Sequence, residues 1–385
     1  MAWLPAGTSA GAPVETAGEE ANAVTAQDAA PAAALATTDP AAPTSDPRAS
    51  RPRRRLGRRT ATALWSVVLA AGVALLGLSA LDLGPSILDG LGAVVVTATY
   101  TWGLAARTGG RPVVFTALAI ALGAAALAVD NDQLRSGAAV MTGAVSAVFA
   151  VMVTVPARRF PRVVREVVVS ALIAAIGSGA ALGWEPTVTV SRFQYAVLAF
   201  ALVGLFLFVY RLGAGLHGLG RRGLVVVAIG AVMLAATLLY AEMIRRYGAQ
   251  GLVDSLEDGV AWSRDHLGGY PRPIEALLGV PALAWGTHMR ARRRQGWWVC
   301  AFGAAMTAPV ACTLVNTDLG VLEHLVSLGY SLVVGLVIGF AIIRIDILLT
   351  GESDSRSTSA GRRAAREAED ASAVRPEPLR TQPLL

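Results

Sequence analysis

Residues 51–111 read RPRRRLGRRTATALWSVVLAAGVALLGLSALDLGPSILDGLGAVVVTATYTWGLAARTGGR. A cluster of arginines is followed by an uncharged run over 60–81, a turn carrying Asp82, a second apolar run over 87–106, and then Arg107 and Arg111. At 1.5 Å per residue, about 20 helical residues cross a hydrocarbon layer of roughly 30 Å, so each run is one membrane crossing. Arginine collects on the cytoplasmic side of a bilayer. The stretch therefore predicts a helical hairpin with both of its basic ends in the cytoplasm and its acidic turn outside.

The same alternation continues to residue 343. Further apolar runs cover 113–129, 137–155, 166–183, 193–210, 223–241, 274–288, 296–315 and 321–343. The turns expected inside hold Arg158, Arg159, Arg162, Arg165, Arg221, Arg222, Arg290, Arg292, Arg293 and Arg294. Those expected outside hold mainly acids: Asp82, Asp89, Asp130, Asp132, Glu185, Asp318 and Glu323, with Arg135 and Arg192 as minor exceptions. The partial exception is the long loop 243–273, whose Arg245, Arg246, Arg264 and Arg272 are matched by Asp254, Glu257, Asp258 and Asp265. The fold class read from this pattern is all-α: a polytopic integral membrane bundle of about ten transmembrane helices, both termini cytoplasmic. The weakest crossing is 274–288, which is short and contains Pro281. Trp65, Trp102, Tyr210, Trp285, Trp297 and Trp298 at inner span ends, with Trp184, Tyr195 and Tyr240 at outer ones, match the head-group preference of amphipathic rings.

Three segments lie outside the crossings. Residues 1–59 begin rich in Ala, Pro and Thr without apolar periodicity, which predicts a disordered tail ending in the basic anchor. Residues 346–385 are expected to form a second disordered cytoplasmic tail, and 243–273 the one long extracytoplasmic loop. In that loop Leu252, Val253, Leu256 and Val260 recur at helical spacing opposite Asp254, Glu257 and Asp258, as in an amphipathic surface helix.

Hydrophobic residues make up 54% of the chain and charged ones 16%, a balance that excludes an ordinary soluble domain. All 33 basic residues are arginine. Lysine codons are AT-rich, so this points to a high-GC, actinobacterial source, and it removes Schiff-base and P-loop chemistry, which need a lysine amine. The basic pI of 9.9 follows from membrane orientation and implies no nucleic-acid partner. Cys300 and Cys312 fall in one span, about 18 Å apart along a helix, too far for a disulfide. No metal site or cofactor motif is present, and the expectation is that none is bound.

Few residues carry a functional signal. Pro281 and Pro309 fall in consecutive, antiparallel spans at similar depth, with Thr307 and Thr313 placed to bond locally. Paired broken helices are a feature of transporter binding sites, although proline in a membrane helix more often only bends it. Small residues recur every fourth position at Ala171, Ala175, Gly179 and Gly183, and again at Ser331, Gly335 and Gly339. These stripes serve close helix packing, inside the bundle or across a dimer. Asp265, His266, Glu323 and His324 share the outer side and are the weak catalytic candidates, with Glu242 and Glu275 near the same rim. Arg53, Arg54, Arg55, Arg292, Arg293 and Arg294 are the expected contacts to anionic lipid head groups at the cytoplasmic face.

No charged or histidine side chain falls near the middle of a span, which argues against a cation-coupled pump. Three functions are open, in order of preference. The first is a non-enzymatic accessory or scaffold of the cell envelope, joined to a membrane-protein partner or a second copy. The second is a transporter or flippase for an apolar or lipid-linked substrate. The third is an outer-face enzyme of envelope lipid or glycan metabolism. The bacterial plasma membrane is the expected location. Ten spans also permit two inverted five-span halves, though no internal repeat is visible in the residues.

Overall fold

A computed structural model describes residues 51–129, 131–212, 220–247, 250–292, 296–316, 319–354, 377, 378, 380 and 382–384. The chain divides into two units at Pro52. The first lies outside the described residues except for Arg51 and Pro52, and the second holds the helical bundle.

Twelve α-helices and no strand occur among the described residues. They are α1 (Arg51–Ala80), α2 (Ile87–Arg107), α3 (Pro112–Ala128), α4 (Asp132–Met152), α5 (Phe160–Leu182) and α6 (Val190–Arg211). Then come α7 (Gly220–Tyr247), α8 (Gln250–Leu267), α9 (Val280–Arg290), α10 (Gly296–Ala301), α11 (Ala304–Ala311) and α12 (Val321–Asp354). A π-helical turn, Ile274–Gly279, leads into α9, and a 3-10 turn, Thr313–Val315, comes after α11.

The chain is a helical membrane bundle. Seven segments are long and apolar enough to cross a membrane: Thr60–Ala80, Ile87–Arg107, Asp132–Met152, Phe160–Leu182, Val190–Arg211, Gly296–Val315 and Val321–Leu349. Two shorter apolar helical stretches, Pro112–Ala128 and Val227–Leu239, accompany them. The run expected over 274–288 is split between the π turn and the 11 residues of α9.

Local sequence sets the helix ends. Pro112 opens α3 and Pro161 lies in the first turn of α5, where a missing N–H leaves no helical bond unmade. Asn131 caps α4 by accepting from the amides of Gln133 and Leu134 at 2.8 and 3.2 Å. The chain reverses after α1 and α5 through Asp82 and Glu185, both at positive φ. Inside the helices Thr99, Thr101 and Ser146, and at the end of α2 Thr108, return their hydroxyls to carbonyls one turn back, so an apolar surround leaves none of these groups unbonded.

The core is built from α2, α4, α5, α6, α9 and α11, with Tyr100, Phe193, Met152, Leu205, Leu283 and Met306 fully buried. Gly296–Val315 is the most buried of the seven long apolar segments and Thr60–Ala80 the least. Helix α1 touches the bundle through Trp65, whose ring N–H donates to Thr99 O at 3.0 Å, and through Gly72 against Val95 and Val96. Along its other side, and along α3 and α12, residues such as Leu64, Val67, Val113, Leu122, Val333 and Val337 stand exposed. Apolar surface on that scale fits a lipid surround rather than water.

Both small-residue stripes are used within the chain. A Cβ at Gly183 would lie 2.7 Å from Asp89 O and 2.9 Å from Leu76 Cδ2, so α5 meets α1 and α2 there. Gly335 and Gly339 lie against Val280 and Ala284, and Ser331 Oγ accepts from the Arg272 amide at 2.9 Å. The amphipathic pattern over 252–260 does form a helix, α8, although the side chains of Leu252, Val253, Leu256 and Glu257 lie outside the described residues.

Candidate functional site

The innermost elements are also the broken ones. In the π turn the amide of Val280 reaches back five residues to Glu275 O. Pro281 comes next and has no N–H to offer, so the widened turn passes into α9 at that point. Further along the chain, α10 stops at Ala301, and Phe302 and Gly303 form a turn with bonds to Val299 O and Cys300 O. Helix α11 restarts at Ala304, carries Pro309 inside it, and ends at Cys312.

The two broken rods are antiparallel and touch backbone to backbone. An added Cβ on Gly279 would sit 2.3 Å from Met306 N, and one on Gly286 would sit 2.7 Å from Cys300 N. Pro281, Thr307 and Pro309 therefore share one helix pair. Thr313 bonds locally as expected, donating to Val310 O at 2.6 Å, while Ser178 Oγ on α5 accepts from the Leu314 amide at 2.8 Å. Thr307 does not: its hydroxyl is fully buried and has no hydrogen-bond partner among the described residues. Trp285 Nε1 and His288 Nε2 on α9 are in the same condition. Buried polar atoms normally find partners, so these three make the helix pair the place to look for an additional polar group.

Ionised clusters close the pair at each end. At the Glu275 end, Arg272 donates to Glu275 Oε1 at 3.3 Å and to His324 Nδ1 at 2.6 Å. A guanidinium only donates, so Nδ1 must accept, and the proton sits on Nε2, which points to Asn316 O at 3.2 Å. Glu275 is fully buried, and its Oε2 has no partner among the described residues. Ser327 and Ser331 on α12 receive the amides of Tyr270 and Arg272. Beside them Arg264 pairs with Glu323 at 2.7 Å and lies 5.5 Å from the Tyr270 ring.

The four catalytic candidates, Asp265, His266, Glu323 and His324, fall into two separate settings. Both nitrogens of His324 are engaged and Glu323 is paired with arginine. His266 is exposed, stacked on Trp262 and bonded to Trp262 O, and Asp265 is exposed. Among the described residues no hydrogen bond or ion pair joins Asp265 or His266 to Glu323 or His324. The side chain of Glu242, expected near the same rim, lies outside the described residues.

About 22 Å away along the π turn and α9, by helical rise, lies the second cluster. Arg290 has no exposed side-chain surface. Its Nη1 donates to Thr154 Oγ1 at 2.8 Å, its Nη2 to Thr154 O at 2.9 Å, and its guanidinium stacks 3.4 Å from the centre of the Trp297 ring. Its remaining edge grips Glu377, with Nη2–Oε2 at 2.6 Å and Nε–Oε1 at 3.3 Å. Arg107 donates to Met152 O, Gln382 O and Pro378 O at 3.2, 2.8 and 3.4 Å, and its own carbonyl accepts from the Leu384 amide at 2.8 Å. Arg380 completes the cluster with two 2.7 Å bonds to the buried carboxylate of Glu166, which also accepts from Arg165 and from the Val155 amide.

These contacts give Glu377, Pro378, Arg380, Gln382 and Leu384 a place against the bundle, where sequence composition suggested only a loose tail, and α12 runs past the expected span end to Asp354. Arg107, Glu166 and Arg290 read as ordinary flanking charges in the sequence. One signal was present: Glu166 is a lone acid directly after the arginines at 158–165. Of the expected lipid anchors, Arg292 is exposed; the side chains of Arg53, Arg54 and Arg55, and the whole of Arg293 and Arg294, lie outside the described residues. No group of three or more His, Cys, Asp or Glu among the described residues could hold a metal.

Comparison with protein families, with curated proteins and with solved structures gives no match to the chain.

Proposed function

We propose that the chain is a transporter or flippase of the bacterial plasma membrane, crossing it ten times with both termini in the cytoplasm, for an apolar or lipid-linked substrate. The observation that carries this is the buried, doubly broken helix pair with the unpartnered Thr307, closed at either end by an ion-paired cluster. Irregular backbone at membrane depth is tolerated where protein or a water-filled path surrounds it, and discontinuous helices at matching depth are how many transporters build a substrate site. The ten-span count adds the two shorter apolar helices and the π turn with α9 to the seven long ones. The orientation puts the Arg107, Arg165 and Arg290 end in the cytoplasm, facing anionic lipid.

An envelope scaffold, which the sequence alone ranks first, would use its small-residue stripes as docking faces. Against that stand the close contacts of Gly183 with Leu76 and Asp89, and of Gly335 and Gly339 with Val280 and Ala284, all within one chain. The exposed sides of α1 and α12 remain as surfaces for a partner protein or a second copy.

The test is translocation of fluorescent phospholipid and polyprenyl-phosphate probes in liposomes, read by dithionite quenching. The wild-type protein should move at least one of them. Pro281→Ala with Pro309→Ala should unfold at an ordinary temperature yet translocate at least tenfold more slowly. A wild-type protein inert toward both probes that co-isolates with a stoichiometric protein partner would sink the transport reading in favour of the accessory one.

A further inference from the structure

The cluster around Arg290 is electrostatically incomplete without the segment 377–384. The bundle brings two guanidinium groups, Arg107 and Arg290, to one buried place, while its own carboxylate there, Glu166, is taken by Arg165 and Arg380. Among the described residues the only carboxylate on Arg290 is Glu377, reached across 87 positions of chain. Burying a guanidinium without an anion is costly, so the site must be matched by a negative group from elsewhere. What the bundle itself supplies suits an oxyanion. Thr154 holds one edge of Arg290 through its hydroxyl and carbonyl, Trp297 supports the flat face, and the open Nε and Nη2 edge takes two oxygens at once. That forked geometry is shared by carboxylate and phosphate recognition.

The way 377–384 occupies the site is equally telling. It is held by Glu377 on Arg290, by the carbonyls of Pro378 and Gln382 on Arg107, and by Arg380 on Glu166, with Leu384 adding an apolar contact. Apart from Leu384, each of these is a polar contact that an incoming oxyanion or its counter-charge can replace. We propose that Arg290, Arg107 and Thr154 form a binding site for a phosphate or carboxylate group, and that Glu377 fills it in cis, so that an anionic ligand and the segment 377–384 compete. The site lies at the opposite end of α9 from Pro281, and its test does not use translocation, so it stands or falls apart from the transport reading.

The competing anion can come from a soluble oxyanion or from a lipid head group, and the experiment separates them. Full-length protein in phosphatidylcholine nanodiscs is titrated with inorganic phosphate. A second set of nanodiscs contains phosphatidylglycerol, whose retention is read by native mass spectrometry. Removing a tethered competitor tightens apparent affinity by the ratio of docked to undocked segment, on the order of tenfold or more. Glu377→Gln should therefore bind phosphate, or retain phosphatidylglycerol, about tenfold better than wild type. Gain with phosphate identifies a soluble ligand; gain with phosphatidylglycerol alone identifies a head group.

Arg290→Gln combined with Glu377→Gln removes both charges together and should abolish the gain, and persistence of the gain in this pair overturns the assignment. Equal affinity of wild type and Glu377→Gln for both probes, at unchanged thermal stability, overturns it as well. A measurement without substitution covers the case in which a variant fails to fold. Phosphate or phosphatidylglycerol should speed tryptic cleavage of wild-type protein after Arg380, and cleavage indifferent to both refutes the competition.

Discussion

Gly279 is the tightest backbone contact in the broken helix pair, and replacing it by alanine tests how closely the two rods approach. The new Cβ would stand 2.3 Å from Met306 N, 2.6 Å from Met306 Cβ and 2.7 Å from the Ala305 carbonyl carbon. Non-bonded heavy atoms rest at about 3.5–4.0 Å, so the π turn and α11 must separate by roughly 1 Å. The obstructing atoms are mainly backbone, which leaves no rotamer to absorb the shift. Overpacking of this kind costs about 1–3 kcal/mol, and the central position puts Gly279→Ala at the upper end of that range. Gly137 and Gly329 supply the controls. Both lie in helices with nothing within 4 Å of an added Cβ, so alanine there should be neutral or gain up to about 1 kcal/mol in helix propensity. Thermal unfolding in detergent, followed by tryptophan fluorescence, should place Gly279→Ala about 3–6 °C below either control, taking roughly 1–2 °C per kcal/mol for a chain of this size. Co-melting of all three variants would refute the close approach and with it the geometry of the candidate site.

Two further substitutions probe the chemistry of the pair and its closure. Thr307→Val keeps the shape and deletes the unpartnered hydroxyl; stability should hold or rise by about 1 kcal/mol, while lipid-probe translocation should fall, and unaltered translocation would show the hydroxyl idle. Glu166→Ala strips the acceptor from the Val155 amide and from Arg380, which should cost about 1–3 kcal/mol in detergent unfolding and expose the bond after Arg380 to trypsin.

The apolar crossings are legible because each is a self-contained statement: about 20 apolar residues with arginine at one end and acid at the other. The α8 pattern and the change of helix type beside Pro281 are legible for the same reason, since periodicity and a missing N–H are properties of a short window; the second break is not, because it falls at Phe302 and Gly303 while Pro309 lies inside α11. What windows do not hold is pairing. Glu166 and Arg380 are 214 positions apart and Arg290 and Glu377 are 87, so neither cluster partner advertises the other. Hydropathy also misplaces such groups, because it counts a span-end charge as loop when neighbouring helices pack over it, as they do over Arg107 and Glu275. The π turn is hidden too: Ile274–Gly279 has the composition of an ordinary apolar helix, and its close neighbours Met306 and Gly335 are distant in the chain. His324 reads as a candidate base in the sequence because its commitment to Arg272 and Asn316 exists only after α12 docks.

The docking of 377–384 on Arg107 and Arg290 also sets a clock for biogenesis. Ribosomes add about 5–20 residues per second, so Glu377 emerges on the order of ten seconds after the arginine it will neutralise. During that interval the nascent helices carry uncompensated positive charge at the end of α9, and the last elements to insert must settle beside it. In the orientation proposed above, anionic lipid of the cytoplasmic leaflet would be the stand-in, a temporary counter-ion relieved when translation delivers the permanent one. Membranes poor in acidic lipid should therefore slow maturation of this protein before they affect its finished state.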